Sequence, residues 1–302
     1  MRVINILLIA IAIFFIQGCT SESDKNIKEK NKSIPQRIIS MAPSITETLF
    51  ALDLGDRVVG VTNYCKYPAE AQKRDKVGGY IDPNFEAITA LKPDLVIVGK
   101  DAESSIAQLK KLEIETLVVD YSSVEGILDS FIKIGDVCGV QKRANDLVQD
   151  SRRKIEKIKQ LTKDLPRKTV LVCVGRNIGS EKLSEIYASG KDTFYDQLIE
   201  YAGGVNAYNE SLVKTPVISA EGLIRINPEV IIDLAPDLES LNLSEKDVIK
   251  EWSALKDVSA VKENRVYVLT GDYVTLPGPR FVKTLEDIAK AIHPEIKFDA
   301  YE

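Results

Sequence analysis

The feature that most constrains this chain is that it repeats itself. NFEAITALKPDLVIV, from Asn84, lies on SAEGLIRINPEVIID, from Ser219, at a constant offset of 135 residues, so that Glu86 falls on Glu221, Pro93 on Pro228 and Asp94 on Glu229. In each copy about two turns of apolar-periodic helix end before a proline. An acidic residue then leads into an aliphatic run, Leu95 to Val98 in the first copy and Val230 to Ile232 in the second, where Asp233 closes it. Such runs read as buried parallel strands. A second echo pairs DRVVGVTNY, ending at Tyr64, with NRVYVLTGDY, ending at Tyr273; each is a β-rich strand followed by a tyrosine.

The segments around the repeats alternate in the same way: IISM then ITETLFAL, TLVVDY then EGILDSFIKIGDVC, VLVCVG then TFYDQLIEYAG. Strands alternating with helices predict α/β sheets covered on both faces. Between the halves, Gln141 to Asp164 contains no Gly or Pro and places Leu147, Val148, Ile155, Ile158 and Leu161 along its length. This predicts one helix of roughly 35 Å, at 1.5 Å per residue, enough to cross from lobe to lobe. A surface helix inside a single domain is the alternative reading. Pro166 stops the helix, and the strand KTVLVCVG opens the second lobe. The expected fold is α/β, with two Rossmann-like lobes joined by a single long α-helix. The expected boundaries are a signal peptide at 1–18, a flexible linker at 19–34, an N-terminal lobe at 35–140, a bridging helix at 141–165 and a C-terminal lobe at 166–302.

Arg2 supplies a thin positive start, and Val3 to Ile16 is nearly all apolar. That suits a signal core and falls short of the ~20 residues of a membrane span. Ile16, Gln17, Gly18 and Cys19 resemble the bacterial lipoprotein cleavage box, in which an invariant cysteine receives the lipid; Gln17 departs from the pattern. An ordinary secretory cleavage site or a retained anchor is the alternative. Thr20 to Ser33 is polar and lysine-rich without apolar periodicity, which reads as a leash.

Several functions are excluded or disfavoured by residue content. The chain is 44% hydrophobic and 28% charged with a net charge of −5, so no basic stripe exists to neutralise nucleic-acid phosphates. Besides Cys19 there are Cys65, Cys138 and Cys173, widely separated and without CxxC spacing, which supports neither a disulfide scaffold nor a zinc knuckle. His293 is the single histidine, expected at the surface of a helix end, whereas a zinc or manganese receptor draws on several imidazoles. No GxSxG elbow, Walker loop or GxGxxG motif occurs.

Two α/β lobes on one long helix behind a lipoprotein signal resemble the substrate-binding lipoproteins of bacterial ABC importers for cobalamin and ferric siderophores. RIISMAPSITETLFALDLGDRVVGVTNYCKYP is similar to that family's first strand, helix and second strand, with a Tyr-x-x-Tyr-Pro segment after the second strand. FEAITALKPDLVI and AEGLIRINPEVII resemble its two helix-strand units, and ASGKDTFYDQLIEYAGGVN the start of its second lobe. The resemblance implies that Glu86 and Glu221 dock into arginine pockets on the two subunits of a permease dimer. An exposed carboxylate in a first helical turn can form a charge-assisted fork with arginine, and it also meets the helix dipole favourably. The resemblance further implies an extracytoplasmic protein held to the membrane by palmitate and related acyl chains on Cys19, acting as a monomer.

Ligands of open α/β sheets collect outside the carboxyl ends of the strands, which here points to Tyr64 and Tyr273. Tyr80, in GGYIDP, matches an aromatic that packs against the corrin in the family's cobalamin branch, and Arg280, in PGPR, matches a polar contact from the second lobe. Arg176, Asn177 and Tyr187 are secondary candidates for the opposite wall, and Trp252 is expected to pack within a helix. The leading reading is a non-enzymatic receptor, without cofactor or metal of its own, that captures cobalamin or a related corrinoid. A ferric-siderophore or haem receptor is the alternative; it would use Arg280 for carboxylates, and a haem site would supply a Tyr or His axial ligand. Two further classes are weighed: a redox enzyme with Cys65, Cys138 and Cys173 as cluster ligands, and a purely structural lipoprotein.

Overall fold

The structure, a computed structural model, describes residues 33–180, 183, 185–210 and 213–296. Cys19, the signal segment and nearly all of the linker lie outside the described residues. The described residues from Ile34 onward form one compact unit that contains the hydrophobic cores found among the described residues.

Chain order in the first lobe is β1 (Ile38–Ser40), α1 (Pro43–Ala51), β2 (Val58–Val61), β3 (Asp75–Lys76), α2 (Phe85–Ala90), β4 (Leu95–Gly99), α3 (Glu103–Lys111) and β5 (Thr116–Val119). Its sheet runs β3-β2-β1-β4-β5 with every pair parallel. Helices α4 (Val124–Cys138) and α5 (Gln141–Thr162) follow. The second lobe contains β6 (Thr169–Gly175), β7 (Ile186–Ala188), α6 (Phe194–Tyr201), β8 (Val205–Asn206), β9 (Val217–Ile218), α7 (Ala220–Ile226), β10 (Val230–Leu234), α8 (Glu245–Trp252), α9 (Ser259–Lys262), β11 (Val266–Leu269) and α10 (Phe281–Ile292). Here β6 pairs in parallel with β10 and β8, and β10 with β11. Strand β7 pairs antiparallel with both β6 and the edge strand β9, so this sheet is mixed.

The repeat is structural as well as sequential. Strands β4 and β10 are fully buried along their lengths, as strands covered on both faces must be. Alternate residues feed opposite cores: Leu95 and Ile97 one face, Val96 and Val98 the other; Val230 and Ile232 one face, Ile231 the other. The acidic residue before each run has the same task. Asp94 accepts the backbone N–H groups of Gln36 and Arg37 at 2.8 and 2.9 Å, beside the start of β1. Glu229 accepts the N–H of Thr169 at 2.8 Å and its hydroxyl at 3.1 Å, at the start of β6. Each carboxylate thus ties a central strand to its neighbour through donors that the ladder leaves unpaired.

The helix expected across 141–164 is α5, about 33 Å long from its 22 residues. It does not cross alone. Val124, Ile127, Leu128 and Phe131 of α4 pack into the core of β6, α6 and α10, while Ile134 and Cys138 of the same helix join the core of β1 and α1. Gly139, at φ 72°, turns the chain between α4 and α5 in the left-handed conformation that glycine adopts without steric cost. Two packed helices therefore connect the lobe cores.

His293 departs from expectation, because its side chain is fully buried rather than exposed. The end of α10 docks against the Gly203 turn, where a Cβ would stand 3.1 Å from the imidazole Nε2, so the missing side chain makes room for the ring.

Candidate inter-lobe binding site

The two repeat glutamates stand at matching places. Asn84 caps α2 by accepting the N–H of Ala87 at 3.0 Å, and Ser219 caps α7 by accepting that of Gly222 at 3.1 Å. Ile88 and Leu223 are buried and pin the two helices to their lobes, leaving Glu86 and Glu221 exposed in the first turn. In each helix the cap side chain, not the glutamate, accepts the capping N–H.

The carboxyl ends of the two sheets meet where α1, after β1, approaches the 271–280 segment after β11. Glu47, in the middle of α1, is 3% exposed and takes a two-pronged contact from Arg280: Nε to Oε2 at 2.9 Å and Nη2 to Oε1 at 2.5 Å. The other side of the guanidinium bonds Asp272 at 2.8 and 3.1 Å. Burial raises the Glu47 carboxyl above its ordinary value, against the opposing pull of Arg280. Asp272, more exposed, is held below its ordinary value by its hydrogen bond from Arg280. A Cβ on Gly278 would sit 3.3 Å from Ser44 Cα, so the loop carrying Arg280 runs close to the start of α1. The sequence places Arg280 against a ligand. Instead two carboxylates of this chain occupy its fork, one from each lobe.

Two aromatic rings, Tyr67 and Tyr273, flank the Arg280 guanidinium. The Arg280 guanidinium lies 3.9 Å from the centroid of the Tyr67 ring and 5.5 Å from that of Tyr273, and Lys283 Nζ lies 4.2 Å from the latter. Tyr64 and Tyr67 are 64% and 47% exposed. Tyr80 is half-buried, and its hydroxyl donates to Asp101; that of Tyr273 donates to Asp287 at 2.6 Å. Burial, then the neighbouring carboxylate, raises both phenols well above their ordinary value. A Cβ on Gly271 would collide with the Tyr273 ring, so that glycine lets the ring lie flat on the loop.

Other candidates fall elsewhere. The Arg176 side chain is 2% exposed, paired with Asp233 at 2.8 Å and with Glu251, so it belongs to the interior of the second lobe and forms no wall. A helix carboxylate and a strand carboxylate have drawn it inward. Asn177 and Tyr187 are exposed. Trp252 is buried and donates its indole N–H to Asp233 at 2.8 Å. Cys65, Cys138 and Cys173 are buried thiols on separate elements; burial pushes Cys138 up to about 11 and Cys173 well above its ordinary value, which disfavours the thiolates that a cluster requires. Among the described residues no group of His, Cys, Asp and Glu is placed to hold a metal ion, and no helix is long and apolar enough to cross a membrane.

Sequence reasoning missed Glu47, Asp272 and Tyr67. Glu47 carried a signal: it is the one charged residue in PSITETLFA, and a lone charge within a helix buried on most sides needs a partner.

Two α/β lobes that meet at their strand carboxyl ends, with aromatic faces at the junction and an exposed carboxylate on each lobe, define a two-lobed ligand-binding protein. Residues 38–273 match the periplasmic binding protein family, and the chain belongs to it. It is 33% identical over 286 residues to an uncharacterized ABC transporter substrate-binding lipoprotein, YvrC, of Bacillus subtilis (strain 168), covering 91% of this chain and 84% of that protein. It is 28% identical over 258 residues to the vitamin B12-binding protein of Salmonella typhi, covering 85% of this chain and 90% of that protein. Among solved structures, the periplasmic haem-binding protein RhuT of Roseiflexus sp. RS-1 in apo form superimposes with a TM-score of 0.73 at 25% identity, covering 86% of this chain and 98% of that one.

Proposed function

We propose that the protein is the substrate-binding component of an ABC importer and that it takes cobalamin or a related corrinoid between its lobes. Membership of the family supports the transport role. The ligand class rests on one observation: Arg280 is already bound by Glu47 and Asp272, while the Tyr67 ring stacked against it and the Tyr64 side chain three residues earlier are 47% and 64% exposed. A ferric siderophore or a haem propionate bound through Arg280 would have to compete with Glu47 and Asp272, and displacing Glu47 would leave a buried carboxylate unpaired. A corrin carries neutral amides around a flat ring and needs no such cation; stacking on aromatic faces contributes about 0.5 to 1.5 kcal/mol per pair beyond buried area.

In this reading nothing is done chemically to the ligand. Glu86 and Glu221 dock on a permease dimer, and the monomeric receptor is held at the outer face of a membrane by lipid on Cys19. Calorimetric titration of residues 34–302 with cyanocobalamin, haem and a ferric hydroxamate tests the ligand. Submicromolar binding of the corrinoid alone, weakened by Tyr64→Ala and Tyr67→Ala, is expected. Binding of haem or the iron chelate instead overturns the ligand assignment and leaves the transport role standing. Incorporation of radiolabelled palmitate into the full chain, lost in Cys19→Ser, tests the anchor.

A further inference from the structure

We infer that Glu47 and Arg280 form a reversible clasp between the lobes, which sets their apposition at the ligand face and must part when they separate. The inference rests on the reading of the inter-lobe face as the binding site. It goes beyond that reading in assigning these residues to holding the lobes rather than the ligand.

The geometry supplies each part of the clasp. The contact joins residues 233 positions apart, one on α1 of the first lobe and one at the start of α10 of the second. It is two-pronged, so it fixes orientation as well as distance. It lies at the strand carboxyl ends, where α1 meets the 271–280 segment, and the α4–α5 pair joins the lobe cores through separate contacts. With both connections made, a rigid-body opening about the helix pair requires the Glu47–Arg280 bonds to break.

The partners are also unequal in a way that suits repeated opening. Asp272 and Arg280 belong to the same lobe, eight residues apart, so Arg280 keeps a carboxylate when the lobes part. Glu47 alone loses its partner, and opening admits water to the face it occupies. The Tyr67 ring, stacked on the guanidinium from the first lobe, parts with it. Neither residue then contacts the ligand directly; each acts as a positioning residue for the tyrosines around it.

The test compares Glu47→Gln with the parent protein in residues 34–302, carrying nitroxides at Lys111→Cys and Lys250→Cys, exposed sites at the end of α3 and within α8. The native thiols are buried and escape labelling. Without ligand, Glu47→Gln is expected to broaden and lengthen the inter-lobe distance distribution and to lower corrinoid affinity about tenfold, the usual scale of a conformational coupling. Saturating corrinoid should restore the parent distribution. Asp272→Asn, which removes only the carboxylate within the second lobe, should retain the closed distribution. An unchanged distribution in Glu47→Gln overturns the clasp, and if affinity nevertheless falls, Glu47 contacts the ligand. Should no variant bind a corrinoid, the ligand assignment fails while the distances still judge the clasp. If Glu47→Gln does not fold, Arg280→Lys, which keeps the charge and loses the fork, gives the same comparison.

Discussion

Asp233 receives the indole N–H of Trp252 and the Nε–H of Arg176 on the same oxygen, Oδ2, each at 2.8 Å. The carboxylate is fully buried in β10, and Glu251 holds the far end of the guanidinium while accepting the N–H of Gly179 at 2.8 Å. One charged group thus fastens the strand, helix α8 and the loop after β6. Asp233→Ala would leave Arg176 buried without its main partner, and removal of one member of a buried pair typically costs about 3–5 kcal/mol. Urea unfolding of that variant should show the loss. Glu251→Ala, at the more open end of the network, should cost less.

The strand ties of the two repeats offer a matched comparison. Asp94 bonds two backbone donors near the surface, whereas Glu229, half-buried, bonds a backbone N–H and a hydroxyl of one threonine. Hydrogen bonds to charged groups contribute about 1.5–3 kcal/mol where water is excluded and less where it is not. Glu229→Ala should therefore destabilise by about 2 kcal/mol and Asp94→Ala by about 1 kcal/mol. Because the sites lie in different lobes, the double variant should show the sum. A coupling well above 0.5 kcal/mol would mean that the lobes unfold through a shared contact at these positions.

The repeat was legible because its signal is periodic: apolar runs, a proline and an acidic residue recur with fixed spacing, and each element forms from neighbours in the chain. The antiparallel strands β7 and β9, of three and two residues, were not legible, since so short a segment carries no period. Tyr64 and Tyr273 could be singled out as aromatics following strands, and Tyr80 only by resemblance to a family position. The state of Arg280 could not, because it depends on a carboxylate 233 residues away. Arg176 failed for the same reason, its partners lying 57 and 75 residues along the chain. Sequence reveals a charge, and only the fold reveals its counter-charge.

The proposed docking role of Glu86 and Glu221 separates from ligand capture. Both residues are exposed on the first turns of α2 and α7, and neither makes the capping bond of its helix. Glu86→Ala and Glu221→Ala should each leave ligand affinity unchanged within about twofold and alter stability by no more than about 1 kcal/mol, the scale of a helix-dipole contact. Uptake of labelled ligand by cells should fall in each single variant and be nearly lost in the double. A double variant that transports normally would remove the docking assignment and leave the binding site untouched.

The buried histidine gives the protein a definite pH dependence. His293 is fully enclosed; its Nδ1 lies 3.5 Å from the Glu295 carboxylate, its Nε2 faces the Gly203 turn, and neither nitrogen makes a hydrogen bond of normal geometry. Burial, with Lys168 nearby, holds the imidazole below its ordinary value of 6.5, against the opposing attraction of Glu295. With the folded value depressed, the unfolded chain binds the proton first, so this contribution is complete above about pH 6.5 and is lost as pH falls through the folded value. One proton limits the slope to about 1.4 kcal/mol per pH unit. Urea midpoints followed from about pH 7.5 to about pH 5 should therefore fall more steeply for the parent than for His293→Leu, which removes the titration and keeps an apolar group in the pocket. Curves of equal slope would mean that the imidazole becomes protonated in the folded protein as readily as in the unfolded chain, with Glu295 compensating for its burial.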